Sequence, residues 1–458
     1  MTDSVRIAGV EVTRLRAMAA REAKRYAAAR PKTRAALDAG AGAYLGDVPM
    51  HWMRDWPMPF PMLVKRAEGA RLTDVDGFRI DDFCLGDTGS MFGHSPAPVA
   101  RAIRRQARRG LTYMLPTETA LEAGALLNRR FGPYRWQIAT TATDANRFAL
   151  RVARAVTGRP KVLVFNGCYH GTVDDTMIEL RDGHTHARQG LVGQVEDLSL
   201  VAEAVEFNDL SAVEAALAKG DIAAILTEPV MTNSCMVLPQ AEFHDGLRTL
   251  SRRYGALLII DETHTISSGL GGYSRVHSLS PDIFVAGKCV AGGMPTAVWG
   301  MTDEVAARFA EYDAHRPSGH SGMGTTLSAN PMQFACLKAN LAEVMTPEAY
   351  AHMEKGAERL SAGLRRVIEA HRAPWHVVRV GARVEFICAP GPLTNGAEAA
   401  TAHQPELEAA IHTALLNRGS LIAPFHNMML VSPVTTPEHV AQLLGSLDEV
   451  LAAIVARA

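Results

Sequence analysis

The chain has 458 residues, 47% of them apolar and 21% charged, with a formal net charge of −1. This is the composition of a globular protein long enough for two or three domains, and the near-neutral balance directs no field at nucleic acid or an anionic membrane. No run of about 18 apolar residues is present to cross a bilayer, and no apolar h-region follows Asp3 and Arg6, so neither a membrane span nor a signal peptide is expected and the expected location is the cytoplasm. The six cysteines, Cys84, Cys168, Cys235, Cys289, Cys336 and Cys388, form no C-x-x-C pair, which argues against a disulfide framework and a zinc site.

Residues 12–39, rich in Ala and Arg, predict one or two helices broken at Pro31. A loop from Gly40 to Pro61 follows; its Trp52 and Trp56 are expected to pack on something. Residues 63–69, 71–77 and 79–83 predict an antiparallel meander, with Asp76-Gly77 as a turn signal. Beyond residue 97 helices and strands alternate. Helices are predicted at 99–108, 117–131 (Thr117 as N-cap), 144–157 and 243–254, and strands at 137–140, 161–165, 222–226, 257–260 and 283–286. Such alternation implies right-handed crossovers and a mostly parallel sheet. After Asn330-Pro331 come helices, one with a seam through Met332, Ala335, Leu337 and Leu341 and one over 350–370. Strands near 375–380 and 384–388 follow, then a helix at 406–418, a strand near 428–431 and a last helix from Pro437 to about Arg457. The fold class is therefore α/β, with a large domain at 91–331 and a smaller α+β domain. The smaller domain is assembled from N-terminal helices and meander at 1–90 and the C-terminal segment 332–458.

The stretch from Leu257 to Lys288 carries the first chemistry. A buried-type run, Leu257 to Ile260, ends in Asp261-Glu262, and a second run, Ile283 to Ala286, delivers Gly287-Lys288. Carboxyl ends of strands are where open α/β sheets hold ligands. A lysine amine and an acid at neighbouring strand ends are what a pyridoxal phosphate enzyme requires. An acid after an apolar strand is equally the form of a Walker B residue, a metal ligand or a solvated strand end. Thr140 to Ala145 joins a strand to a helix; small hydroxyl residues at a helix N-terminus suit an anion, and plain N-capping by Thr143 or Asp144 has the same appearance. Tyr169 and His170 follow another strand end, where an aromatic can stack on a flat heterocycle or simply pack a loop. Glu228-Pro229 and Gly324 to Pro331 add an acid and a second polar loop entering a helix.

In this order, these stretches resemble the class III (ω-type) aminotransferases of PLP fold type I, and most closely the branch containing glutamate-1-semialdehyde 2,1-aminomutase. The matching segments include RVARAVTGRPKVLVFNGCYHG (Arg151 to Gly171), EPVMTN (Glu228 to Asn233), IIDETHT (Ile259 to Thr265), PDIFVAGK (Pro281 to Lys288) and TTLSANP (Thr325 to Pro331). The resemblance implies pyridoxal 5′-phosphate as cofactor and Lys288 as the Schiff-base lysine and proton carrier. Asp261 is implied as partner of the pyridine nitrogen, Tyr169 as the residue stacked on the ring, and His170 as its neighbour. Thr141, Ala142 and Thr143 match the phosphate cradle. Thr326 matches a threonine reaching the phosphate from a neighbouring subunit, which implies a homodimer with shared sites. Glu228 and Asn233 match a segment near the substrate side of the ring.

The pattern is broken in places. Ala142 stands where the family has Gly. Thr263 and His264 stand where it has an apolar residue and Gln or Met, and the arginine that often ends that motif is absent. Arg54 sits roughly where the aminomutase branch has its substrate arginine, and Ser90 and Met91 fall in a segment that borders the pocket. The functional expectation is transfer of an amino group from an amino acid or amine to a keto acid or aldehyde. The alternative is an intramolecular aminomutase of the glutamate-1-semialdehyde kind. A non-enzymatic regulator is disfavoured by the retention of both Lys288 and Asp261.

Overall fold

The structure is a computed structural model that describes residues 6–424 and 426–455. The chain forms two compact units. One is built from the chain up to Ser95, Ala351–Pro392 and the chain from Ala402 onward; the other is Pro96–Tyr350 with Leu393–Thr401.

The larger unit carries a seven-stranded sheet. Its strands lie in the order Ala202–Val205, Lys161–Phe165, Ile222–Thr227, Leu257–Asp261, Ile283–Ala286, Ala297–Met301 and Arg135–Ala139. The first five are mutually parallel, and Ala297–Met301 runs antiparallel to both neighbours. The sheet is thus mostly parallel, as the alternation of elements predicts. Its central strands are apolar because both faces are covered: every residue of Ile222–Thr227, Leu257–Asp261 and Ile283–Ala286 is buried. Register aligns the strand ends. Thr227 pairs with Ile260, and Asp261 pairs with Val285. Glu228, Asp261 and Lys288 therefore leave the same edge of the sheet.

The helix after the strand Arg135–Ala139 runs over Ala142–Thr157. It buries Ala145, Phe148, Ala149 and Val152, one stripe at helical spacing, against the sheet's core cluster. It starts two residues earlier than predicted, because the N-cap is Thr141: this residue is extended, and its hydroxyl accepts from the Asp144 N–H at 3.2 Å. Thr143 and Asp144, the caps proposed from sequence, lie in the first turn.

The boundary of the larger unit lies at Tyr350 rather than at residue 331. Pro331–Ala339 is buried almost all round, well beyond the predicted seam. Gln333 donates to the carbonyls of Ala139 and Pro295, and Asn340 donates to those of Cys289 and Val290, so the segment is tied to the large sheet's loops. Elements without a strong periodic signal are additional to the prediction: the hairpin Ile178–Arg181 with His184–Ala187, the edge strand Ala202–Val205, the strand Ala297–Met301, and the helices Leu210–Leu217 and Asp303–His315.

In the smaller unit the meander Val64–Glu68, Arg71–Asp74 and Arg79–Asp82 forms as predicted, and a short C-terminal strand, Ser420–Leu421, joins it in parallel. A second sheet holds His376–Val380, Arg383–Ile387 and Met428–Leu430. The helices Val12–Ala29 and Pro31–Ala39 divide at Pro31, which is the first residue of the second. Trp56 packs edge-on against His412 at 5.5 Å between ring centres, whereas Trp52 remains 41% exposed. The last helix covers Pro437–Ile454; Arg457 is outside the described residues. Among the described residues no helix is long and apolar enough to cross a membrane.

Candidate active site

Four turns at the carboxyl edge of the large sheet converge. The strand Leu257–Asp261 presents the Asp261 carboxylate, which is 4% exposed. One of its oxygens accepts from Asn146 Nδ2 at 2.8 Å and lies 3.1 Å from His170 Nδ1; the other accepts from the Thr263 N–H at 3.0 Å. Burial alone raises the pKa of such a carboxyl. Here the hydrogen bonds from His170, Thr263 and Asn146, with the charge of His170, outweigh that and hold Asp261 below its usual value. It is a fixed anion in a dry place.

The strand Ile283–Ala286 ends in Gly287 and half-buried Lys288. Lys288 has φ of +48°, the left-handed region that a residue with a Cβ seldom adopts. Such strain concentrates where a side chain must be aimed. The Lys288 Nζ is 2.5 Å from His264 Nε2. His264 Nδ1 is 2.6 Å from the Thr232 hydroxyl, which also bonds Glu228 Oε2. Glu228 is 3% exposed and also accepts from the backbone N–H groups of Tyr169 and Thr232, each at 3.2 Å. Burial raises its pKa above the ordinary glutamate value, even though His170, Thr232 and Tyr169 pull it down.

The third turn is the start of the helix Ala142–Thr157, whose first N–H groups and dipole suit an anion. Two glycines permit the close approach of the other turns. A Cβ on Gly287 would stand 2.9 Å from the Cβ of Ala142, so Ala at 142 is accommodated because the residue before Lys288 has no side chain. A Cβ on Gly171, at φ +79°, would fall 2.1 Å from Thr143 Oγ1. That hydroxyl accepts from the Thr172 N–H at 3.2 Å, which joins the fourth turn to the helix start.

The fourth turn holds Tyr169, 38% exposed, with the Arg188 guanidinium 5.9 Å from its ring centre, and buried His170. Thr263 is buried, and its hydroxyl has no hydrogen-bond partner among the described residues.

Lys288, His264, Thr232, Glu228 and the Tyr169 N–H form one bonded group and Asp261, His170, Thr263 and Asn146 another, adjacent through Tyr169–His170; Thr143 joins Thr172, Ala142 lies against Gly287, and Thr141 caps the same helix. Asn233 is half-buried beside Thr232, and it is Thr232, not Asn233, that enters the bonded group. Thr326 is exposed in a polar loop in which Ser328 touches Thr325 at 2.7 Å and Thr140 at 3.3 Å. The remaining candidates belong to the smaller unit. Arg54 is exposed and 3.9 Å from Asp55, Ser90 is half-buried, and Met91 is fully buried.

Two participants escaped sequence reasoning. Thr232 lies inside the quoted EPVMTN segment but has no signal of its own. Asn146 is a polar residue on the buried stripe of its helix, four positions after Ala142, and that misfit with the apolar periodicity was the available sign.

A lysine amine, a buried carboxylate held ionised and a helix N-terminus, brought to one edge of one sheet, form an arrangement that can hold an aromatic aldehyde bearing a phosphate. Residues 53–451 match the family model "Aminotransferase class-III". The chain belongs to the class-III aminotransferase family. Over 373 residues it is 33% identical to glutamate-1-semialdehyde 2,1-aminomutase 1 of Bacillus cereus, covering 80% of this chain and 84% of that one. It is 49% identical to a crystallised glutamate-1-semialdehyde-aminomutase from Pseudomonas aeruginosa, with a TM-score of 0.95 over 97% of this chain and 99% of that one. A lysine-to-alanine variant of the Pseudomonas protein was crystallised in complex with PMP; it is 48% identical, with a TM-score of 0.95 over 97% of this chain and 100% of that one.

Class-III aminotransferases use pyridoxal 5′-phosphate, and the residues assembled here fit it. The α/β fold expected from sequence, PLP fold type I, is the fold of this aminotransferase. The donor set has the right chemistry: the Lys288 amine, a buried anion for a protonated ring nitrogen, and a helix start, narrowed by Gly171 and Gly287, for a phosphate.

Proposed function

We propose that this class-III aminotransferase transfers an amino group from an amino acid or amine to a separate keto acid or aldehyde, with Lys288 as its reactive amine. The observation that carries the reading is the convergence of Lys288, Asp261 and the start of the Ala142–Thr157 helix at one sheet edge. Bound there, pyridoxal phosphate supplies a carbonyl for amine exchange and a ring that draws electrons from the substrate α-carbon.

The protein's part is positioning and proton management. Asp261, kept ionised by Asn146, His170 and Thr263, holds a proton on the ring nitrogen. The N–H groups of Ala142 and Thr143 and the hydroxyl of Thr143 hold the phosphate, with Thr141 capping the helix. Tyr169 would cover one ring face. With the cofactor bound, the Lys288 amine would be the base that takes the substrate α-proton and gives it back. Thr263 would lie beneath the ring, while His264 and Glu228 with its neighbour Asn233 would line the substrate side. Arg54, Ser90 and Met91 are proposed to border the substrate.

The polar pair Thr263–His264, where the family has an apolar residue and Gln or Met, favours a separate acceptor. The second reading, an intramolecular 2,1-aminomutase, is favoured by the names of the Bacillus and Pseudomonas relatives. The exposed Thr326 supports a homodimer in which this threonine serves the partner's phosphate, and light scattering on the purified protein tests it. Six free, buried cysteines suit the reducing cytoplasm.

Two measurements decide. Borohydride reduction of the pyridoxal phosphate complex followed by peptide mass spectrometry is expected to tag Lys288, with the tag lost in Lys288→Ala; a tag elsewhere removes the assignment. A panel of amino donors with pyruvate or 2-oxoglutarate is expected to yield net amino transfer to the added keto acid. Conversion of glutamate-1-semialdehyde without any keto acid, and no transfer, would establish the mutase instead.

A further inference from the structure

Lys288 and Glu228 stand at the two ends of an unbroken line of contacts. Lys288 Nζ meets His264 Nε2 at 2.5 Å, His264 Nδ1 meets Thr232 Oγ1 at 2.6 Å, and Thr232 Oγ1 meets Glu228 Oε2. The three residues beyond the lysine are sealed from water, with His264 5%, Thr232 1% and Glu228 3% exposed. An ammonium has only donors, so a protonated Lys288 requires a lone pair on Nε2. The neutral ring then carries its hydrogen on Nδ1 and donates to Thr232, whose hydroxyl donates to a Glu228 carboxylate. With every hydrogen reversed the line is equally satisfied: a protonated Glu228 donates to Thr232, Thr232 to Nδ1, and Nε2–H to a neutral amine.

We propose that Lys288, His264, Thr232 and Glu228 form a proton wire that moves the surplus proton of the lysine to the glutamate and back, so that the amine is neutral when it acts as a base. The proposal rests on the reading of Lys288 as the reactive amine. The transfer balances. The Nζ–H bond breaks as Nε2–H forms, the Nδ1–H bond breaks as a new Oγ1–H forms, and the old Oγ1–H bond breaks as Oε2–H forms. Ammonium and carboxylate become amine and carboxylic acid, with no other reactant.

Surroundings support it. Burying a separated cation and anion is costly, and their neutral forms are favoured in a low-dielectric interior. Glu228 already lies above the ordinary glutamate range through burial, with Asp261 pushing in the same direction and His170 opposing. Neighbouring charged and titratable groups among the described residues have partners of their own. Asp261 is held by Asn146 and His170, and Glu262 by Thr265, Tyr273 and Ser274. Arg188 bonds the Cys168 carbonyl, and burial raises the Cys168 thiol well above its usual value. The Gln or Met of the family pattern at position 264 has no titratable ring, so the wire belongs to this chain's departure from that pattern.

The test uses the full protein loaded with pyridoxamine phosphate, in which the Lys288 amine is free. Brief acylation with acetic anhydride across pH 6 to 8 is quantified at the Lys288 peptide by mass spectrometry, with Lys161 as internal reference. A proton passed along the wire never reaches solvent, so the wild-type labelling of Lys288 is expected to be nearly flat with pH. In His264→Gln, Glu228→Gln and the near-isosteric Thr232→Val the proton must leave to water, and labelling is expected to drop about tenfold for each unit by which the pH is lowered. Thr232→Val disturbs the packing least and keeps the test sound where another variant folds poorly. Wild-type and Thr232→Val profiles that run parallel overturn the wire. Borohydride tagging separates the two claims: a tag on Lys288 with parallel profiles sinks the wire alone, whereas a tag on another lysine sinks the reading beneath it.

Discussion

Asn146→Ala isolates the support of the buried acid. The side chain is fully buried and donates to Asp261 Oδ2 at 2.8 Å and to the His170 carbonyl at 3.2 Å. A hydrogen bond to a charged group contributes about 1.5–3 kcal/mol, and a buried carbonyl left without its donor costs about 1–3 kcal/mol more. Partial relaxation between neighbours makes the two less than additive. A loss of about 2–4 kcal/mol is therefore expected. Urea unfolding of the cofactor-free protein at neutral pH, followed by far-ultraviolet circular dichroism, measures it as a fall in midpoint at constant slope. The same variant is expected to hold pyridoxal phosphate more weakly, because the Asp261 anion loses one of the bonds that keep it ionised. A loss below about 1 kcal/mol, with unchanged cofactor affinity, would show that Asn146 fills space and that Asp261 is held by His170 and Thr263 alone.

Asp261→Asn keeps the shape and removes the charge; turnover is expected to fall about 10²–10³-fold, the scale of losing one preorganised electrostatic contact, while the cofactor's visible band persists. Rates within tenfold of wild type would contradict the role given to this carboxylate. Gly171→Ala places a Cβ 2.1 Å from Thr143 Oγ1 and 3.0 Å from its Cα at φ +79°. Left-handed backbone and overpacking each cost about 1–3 kcal/mol, so a lower melting temperature and weaker phosphate retention are expected, and an unchanged affinity for pyridoxal phosphate would show that the helix start does not cradle the phosphate. The pH dependence of stability should carry the mark of His412, which burial lowers to about 4 from 6.5 while Ile422 accepts at 3.1 Å. A depressed folded pKa gives stability that is present above 6.5 and lost as pH falls toward 4, here about 3 kcal/mol. His412→Gln should flatten the denaturation curve over that window, and an unaltered acid limb would place the loss elsewhere.

Much of the site was legible because its parts are local. A fully apolar run ending in an acid, as at Leu257–Asp261, or in Gly-Lys, as at Ile283–Ala286 and beyond, names a buried strand and the edge at which it stops. A strand running into small hydroxyl residues and then a helical stripe names a helix start. What was not legible is pairing across the chain. Asn146 meets Asp261 across 115 positions, and Thr232 meets His264 across 32; neither spacing leaves any periodic trace. The Thr141 cap went unassigned for a related reason, since three hydroxyl or acidic residues within four positions satisfy the same rule and only the backbone angles choose among them.

The sequence by itself determined the strongly periodic elements, the sheet edge and the chemical kinds gathered there, because burial and helix propensity act over a few residues. The tertiary structure alone decided who touches whom. The parallel register that sets Thr227 beside Ile260 and Asp261 beside Val285 is a long-range consequence of packing the whole sheet. That register brings His264 between Lys288 and Thr232, and so turns a residue that reads as a departure from a pattern into the middle of a line of protons.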